Sequence, residues 1–160
     1  IHPGGSQEIK RRGGTENMIG IVGFGAACTE LPTIDDISQL GVMRDEFEKN
    51  LVKSLADVSI NGVRAPRIAN TSNVRFHGIS NDLLMGVLDL EGICVSGGSA
   101  CSSGAVAPSH VLTEMGLSKE EAKQSLRFSF CTKTKREDIQ HIVMCITDHI
   151  KRIRERRSQK

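Results

Sequence analysis

The stretch Leu126-Arg127-Phe128-Ser129-Phe130 alternates strictly between apolar and polar residues. A period of two turns Leu126, Phe128 and Phe130 to one face of a strand, and Arg127 and Ser129 to the other. The chain therefore has to form a sheet here and pack one side of it. Helical stripes supply the cover. Leu40, Met43, Phe47, Leu51 and Leu55 recur at spacings of three and four, which makes one apolar face of an amphipathic helix. A last helix, with Thr134 and Glu137 as its capping box, carries Ile139, Ile142, Val143, Ile146, Ile150 and Ile153 along another stripe.

Between these elements the chain is punctuated as a mixed α/β layer. Val58 to Val63 alternates into Asn61-Gly62, a local hairpin signal, and Val74 and Phe76 mark a second short strand. Ser80 is placed to cap a helix bearing Leu83, Leu84, Val87 and Leu88, which Gly92 ends. Ile93-Cys94-Val95 reads as a buried strand, with Cys94 an inert core thiol. Pro108 suits a helix start, with Val111, Leu112 and Met115 on the buried side and Gly116 as the stop. Ser118 and Glu121 form a further capping box.

Upstream, Thr15 is placed to cap a helix whose first turn holds Glu16, and whose Gly20, Gly23, Gly25 and Ala26 would let another element approach closely. Pro32, between Glu30 and Asp36, breaks it. Arg11, Arg12 and Gly13-Gly14-Thr15 beside that helix start read either as an anion cradle or as a solvated basic turn. The opening residues are turn-rich with no core-forming run before them, so the chain is expected to be cut from something longer.

Charge excludes one class of partner. With 21 basic and 19 acidic residues the net charge is +2, too even for nucleic acid to be the partner of the body of the chain. The absence of Trp and Tyr also removes the stacking platforms of single-strand binders. Basic residues gather only at the end: Lys151, Arg152, Arg154, Arg156, Arg157 and Lys160 suit a helix C-terminus, as a solvated tail or as a docking surface for an acidic partner. Five cysteines without a CxxC pair, no signal peptide and no long apolar span point to a reducing compartment, cytoplasm or organelle matrix, and to no membrane.

One cysteine stands apart. Cys101 lies in Val95-Ser96-Gly97-Gly98-Ser99-Ala100-Cys101-Ser102-Ser103-Gly104, among three glycines and four serines that cannot cover it. Exposure and freedom to move suit a thiolate nucleophile, and they also suit a surface loop that happens to contain a cysteine. Arg127, aimed from a strand packed on its other side, suits a carboxylate clamp, and equally a solvent-facing arginine on a half-exposed sheet. For metal, Cys145 and His149 are the best pair, four apart on one helix. Two ligands are too few, so no metal site is expected.

Three motifs in fixed order carry a resemblance: Gly4-Gly5-Ser6-Gln7-Glu8 with Arg12-Gly13-Gly14-Thr15-Glu16-Asn17, then Ser96-Gly97-Gly98-Ser99-Ala100-Cys101-Ser102, then Arg127-Phe128-Ser129-Phe130. Together they resemble the cysteine desulfurases, and more narrowly the long-loop group that feeds iron–sulfur cluster and thiolated-tRNA assembly. The resemblance spans essentially the whole chain. It implies an α/β fold: residues 1–35 as the end of the large cofactor domain with its connecting helix, and residues 36–160 as the C-terminal small domain, a mixed sheet with helices, of an aspartate-aminotransferase-like fold type I enzyme.

The same resemblance implies a chemistry. Cys101 would attack the sulfur of a cofactor-bound L-cysteine, leaving L-alanine and a persulfide for an acceptor such as an iron–sulfur scaffold protein. Arg127 would bind the substrate carboxylate, and Thr15 would reach the phosphate of pyridoxal 5′-phosphate in the other subunit of a homodimer. The cofactor itself would be bound mainly by an N-terminal half that is not in this chain. None of Lys10, Lys49, Lys53, Lys119, Lys123, Lys133, Lys135, Lys151 and Lys160 follows a histidine, as the family's Schiff-base lysine does, so the chain alone is expected to be inactive. Cys131 and Thr132 depart from the family's glycine and arginine, and Ser6 from a frequent glycine; Cys131 bears on the turn after the Arg127 strand. A stand-alone persulfide carrier or sulfur-acceptor module, using Cys101 without a cofactor, is the alternative.

Overall fold

The computed structural model describes residues 4–98 and 108–158. The chain divides into two compact units, Ile1–Thr33 and Ile34–Lys160.

In the first unit a single turn, α1 (Gln7–Lys10), precedes the helix α2 (Met18–Thr29). Glu8 and Ile9 lie in the left-handed region at φ 50° and 57°, which is costly for a β-branched residue. The cap of α2 is Asn17, not Thr15: the Asn17 side chain accepts from the Gly20 N–H at 3.0 Å. A side-chain cap serves the N–H two or three residues on, so Thr15 and Glu16 fall outside the helix. No residue of α2 is buried; Ile19 is 89 % and Phe24 74 % exposed.

The second unit is a sheet with its three longest helices packed on one face. Its first helix, α3 (Ile34–Ser54), buries Leu40, Phe47 and Leu51, the expected stripe. Strands β1 (Val58–Ile60), β2 (Thr71–Phe76) and β3 (Ser125–Ser129) follow in the order β1-β2-β3, and both pairs are antiparallel. The α/β class stands, but the described strands form an antiparallel sheet where a mixed one was expected. Asn61-Gly62 does turn, with Gly62 at φ +80°, yet β1 and β2 are joined by residues 61–70 rather than by a two-residue hairpin. That long connection is tied to α3. Arg67 gives the Glu48 carboxylate two hydrogen bonds at 2.6 and 2.9 Å, and Arg44 Nη1 donates to the Ile68 carbonyl at 2.7 Å.

Beyond β2, α4 (Asn81–Leu90) buries Leu84 and Leu88 while Leu83 stays exposed, and Gly92 follows it at φ +74°. Ser80 holds the N-cap position without a side-chain bond. Residues 93–95 are no strand: Ile93 is buried, Val95 half-buried and Cys94 exposed, so Cys94 is not a core thiol. The short run alternates inward and outward and, among the described residues, joins the sheet through one bridge, Ser96 to Arg127.

In α5 (His110–Glu114) only Leu112 is buried. Val111 and the following Met115, expected in the core, are 54 % and 51 % exposed. The α6 (Lys119–Ala122) capping box of Ser118 and Glu121 forms with both of its bonds. For α7 (Arg136–Ser158) the expected Thr134 and Glu137 box is displaced by one residue: the Lys135 N–H donates to Asp138 Oδ2 at 2.8 Å. The Thr134 hydroxyl instead accepts from the Cys131 N–H at 3.0 Å.

The core lies between the sheet's inner face and α3, α4 and α7. Its centre is aromatic. Phe47 of α3 meets Phe128 of β3 with ring centroids 4.8 Å apart, and Phe130 at 5.4 Å. Tilted and edge-on contacts of this kind add to what burial alone contributes. The basic end of α7 is partly pinned: Arg154 Nη1 donates to the Ala56 carbonyl at 2.9 Å and Arg157 Nη1 to the Gly78 carbonyl.

Candidate active site

On β3, alternation buries Leu126 and Phe128 and pushes Arg127 and Ser129 outward, as the sequence requires. Arg127 therefore stands on the sheet's open face. Antiparallel register then sets its neighbours. Asn73 of β2 is its direct partner on one side, and Ser96 is its bridge partner on the other. Residues opposite one another in a ladder project to the same face. The Asn61 N–H, donating to the Asn73 carbonyl at 2.8 Å, extends the row by one position.

Asn61, Asn73, Arg127 and Ser96 thus cross the open face in a single polar line. Two backbone bonds hold Ser96 to Arg127, at 3.1 and 2.8 Å, and Arg127 Nη2 donates to Ser96 Oγ at 3.3 Å. Asn73, Arg127, Ser109, Gly98, Val111 and Leu112 line a cavity of about 220 Å³. Among the described residues Arg127 forms no ion pair. A guanidinium with no acidic partner, at the wall of a small cavity, suits a carboxylate ligand.

Cys101 lies outside the described residues. Gly98 and Ser109, which precede and follow that segment, both line the Arg127 cavity. Thr15 belongs to the first unit and is exposed. Of the two readings of this basic turn, an anion cradle or a solvated turn, the described contacts of Arg12 fit the turn. Arg12 Nη1 is turned onto the carbonyls of Gly14 at 3.1 Å and of Gly13 and Thr15 at 3.4 Å. At the α2 start the Met18 and Gly20 N–H groups are already bonded, to the Glu16 carbonyl and to Asn17 Oδ1. The exposed Thr15 stands beside these bonded groups.

The pair weighed for metal separates. Cys145 Sγ lies 3.6 and 3.8 Å from the ring nitrogens of His141, not His149, and burial pushes its pKa up. His149 pairs with Glu91 at 3.0 Å. Among the described residues no three of His, Cys, Asp and Glu gather as a metal site.

Asn73 and Ser96 had no role in the sequence reading. The available signal was the outward phase of Thr71, Asn73 and Arg75 in β2, but pairing Asn73 with Arg127 needs the register. Cys131 was noted only as a departure. Its thiol is held below its ordinary pKa by the Thr134 hydroxyl first, then by the Lys133 and Thr134 backbone N–H groups and the Lys133 charge.

The chain that presents this arginine from its last described strand matches the model of the aminotransferase class-V family over residues 5–142 and belongs to it. Within it the likeness is to cysteine desulfurases. The chain is 39 % identical over 160 residues to the cysteine desulfurase IscS of Dictyoglomus turgidum, covering 96 % of this chain and 40 % of that protein. A NifS-like protein from Rickettsia africae, solved by X-ray crystallography, is 32 % identical with a TM-score of 0.69, over 92 % of this chain and 38 % of that one. SspA, solved in complex with cysteine, is 33 % identical with a TM-score of 0.56, over 81 % of this chain and 35 % of that one. The chain thus spans about two fifths of the length of these relatives.

Proposed function

We propose that this chain is the C-terminal part of a cysteine desulfurase, which takes sulfur from L-cysteine, leaves L-alanine and holds the sulfur as a persulfide on Cys101. The observation that supports this best is Arg127: it projects from a packed strand into a small cavity with no described acidic partner, in a chain 39 % identical to a cysteine desulfurase.

Each residue has one task. Arg127 binds the substrate α-carboxylate and so fixes which way the thiol points. The Cys101 thiolate forms a bond to the substrate sulfur while that sulfur's bond to carbon breaks, giving the persulfide. Thr15 would help to hold pyridoxal phosphate in a homodimer, its hydroxyl serving the phosphate group. When bound, that cofactor supplies the electron sink that C–S cleavage requires. The persulfide then passes to an acceptor such as an iron–sulfur scaffold protein. Residues 1–35 act with the cofactor domain and residues 36–160 form the small domain. No described helix is long and apolar enough to cross a membrane, and the proposed compartment is cytoplasm or an organelle matrix.

The test joins the chain to the N-terminal remainder of a relative and measures sulfide release from L-cysteine. The wild-type pairing should release sulfide, and Cys101→Ser should bind cysteine yet release none. The chain by itself should release none either, because no lysine in it follows a histidine. Sulfide release by Cys101→Ser at the wild-type rate removes the assignment.

A further inference from the structure

The polar row on the open face has a direction, set by donor bookkeeping. The Ser125 hydroxyl donates to the Glu121 carbonyl at 3.2 Å, so its one proton is used and its oxygen is left to accept. It accepts from Asn61 Nδ2 at 3.1 Å. This fixes which end of the Asn61 amide faces the sheet, since only the nitrogen can donate there. The same Nδ2 donates to Asn73 Oδ1 at 2.6 Å. Asn73 must therefore give its oxygen to Asn61, and its own Nδ2 is the group left to offer. Asn73 stands directly opposite Arg127 on the same face and lines the same cavity of about 220 Å³. On its other side Arg127 is partly engaged, through Nη2, with Ser96 Oγ.

A carboxylate has about four acceptor positions, more than the free edge of one guanidinium can fill. We propose that Asn73 Nδ2 is a second donor for the α-carboxylate that Arg127 holds, with Asn61 and Ser125 as the residues that fix its orientation; this rests on reading the cavity as the amino-acid site. The row selects for a ligand with a carboxylate. It presents one charge and a neutral donor to two oxygens of the same anion, and a cysteine analogue without the carboxylate loses both.

The experiment follows side-chain N–H resonances of the ¹⁵N-labelled chain as L-alanine, the carboxylate-bearing product, is added, with cysteamine as the probe that lacks the carboxylate. Asn73 Nδ2 and Arg127 Nε should move along one binding curve with L-alanine, and neither should move with cysteamine. Asn73→Asp keeps an oxygen for Asn61 but replaces the donor with a negative charge that repels the carboxylate and competes for Arg127, so L-alanine binding should weaken by about tenfold or more. If Arg127 moves with L-alanine while Asn73 does not, or if Asn73→Asp binds as tightly as wild type, the role given to Asn73 is wrong and the amino-acid site stands. If neither resonance moves in the wild-type chain, both fall. The wild-type titration decides even if the variant fails to fold.

Discussion

Cys131 illustrates how a local turn sets chemistry at the residue scale. It follows β3 by two positions, is exposed, and its thiolate gains the Thr134 hydroxyl as a donor together with backbone N–H groups. Those donors favour the charged form, so the thiol ionises at lower pH than an ordinary cysteine. Thr134→Val removes the first of them. Iodoacetamide alkylation of Cys131, followed by peptide mass spectrometry against pH, should show its midpoint move upward in Thr134→Val and its rate near neutral pH fall. Buried Cys145, whose pKa is raised, should react more slowly than Cys131 throughout. An unchanged Cys131 profile in the variant would mean that the Thr134 hydroxyl does not stabilise the thiolate. Nothing in the sequence marked this group: Cys131 could be seen to depart from its family, but the proximity of Thr134 belongs to the folded turn.

At the scale of elements, the readable features were those with a period. The Leu126–Phe130 alternation placed Arg127 on the open face, and the α3 and α7 stripes placed Phe47, Leu51, Ile146 and Ile150 in the core. Three consecutive apolar residues have no period to speak of. Ile93-Cys94-Val95 therefore reads as buried throughout, yet Cys94 is exposed. The α5 stripe failed for another reason: Val111 and Met115 line an apolar cavity of about 260 Å³ with Ile68 and Gly62 instead of entering the core. Caps slipped by a residue or two because Thr15 and Asn17, or Glu137 and Asp138, stand close together in the sequence, and only the folded backbone chooses between them. Asn73 was out of reach because register joins residues that the sequence keeps far apart. Phe47 is where helix and sheet depend on each other most, since its ring meets both Phe128 and Phe130. Phe47→Ala should cost about 3–5 kcal/mol, as large-to-small changes at buried aromatics do. Urea denaturation should show this as a lower midpoint with the slope little changed; a loss below about 1 kcal/mol would mean that the site can collapse around the cavity.

At the scale of the whole molecule, the two units differ in how they meet water. Unit Ile34–Lys160 has an aromatic-centred core and a polar open face, whereas α2 of the first unit is built from apolar and small residues on every side and buries none of them. Helices that are apolar all round are normally enclosed. In dilute buffer this helix would behave as a sticky rod. A solvatochromic dye such as anilinonaphthalene sulfonate should brighten on the natively folded chain, and Ile19→Ser with Phe24→Ser should dim it without moving the thermal midpoint of the sheet unit. Equal brightness in that variant would place the dye elsewhere. The practical consequence concerns handling: a chain that carries such a helix uncovered should be lost to tube walls, column resins and chaperones in proportion to how long it is left alone, so its yield depends on α2 rather than on the domain that bears Arg127.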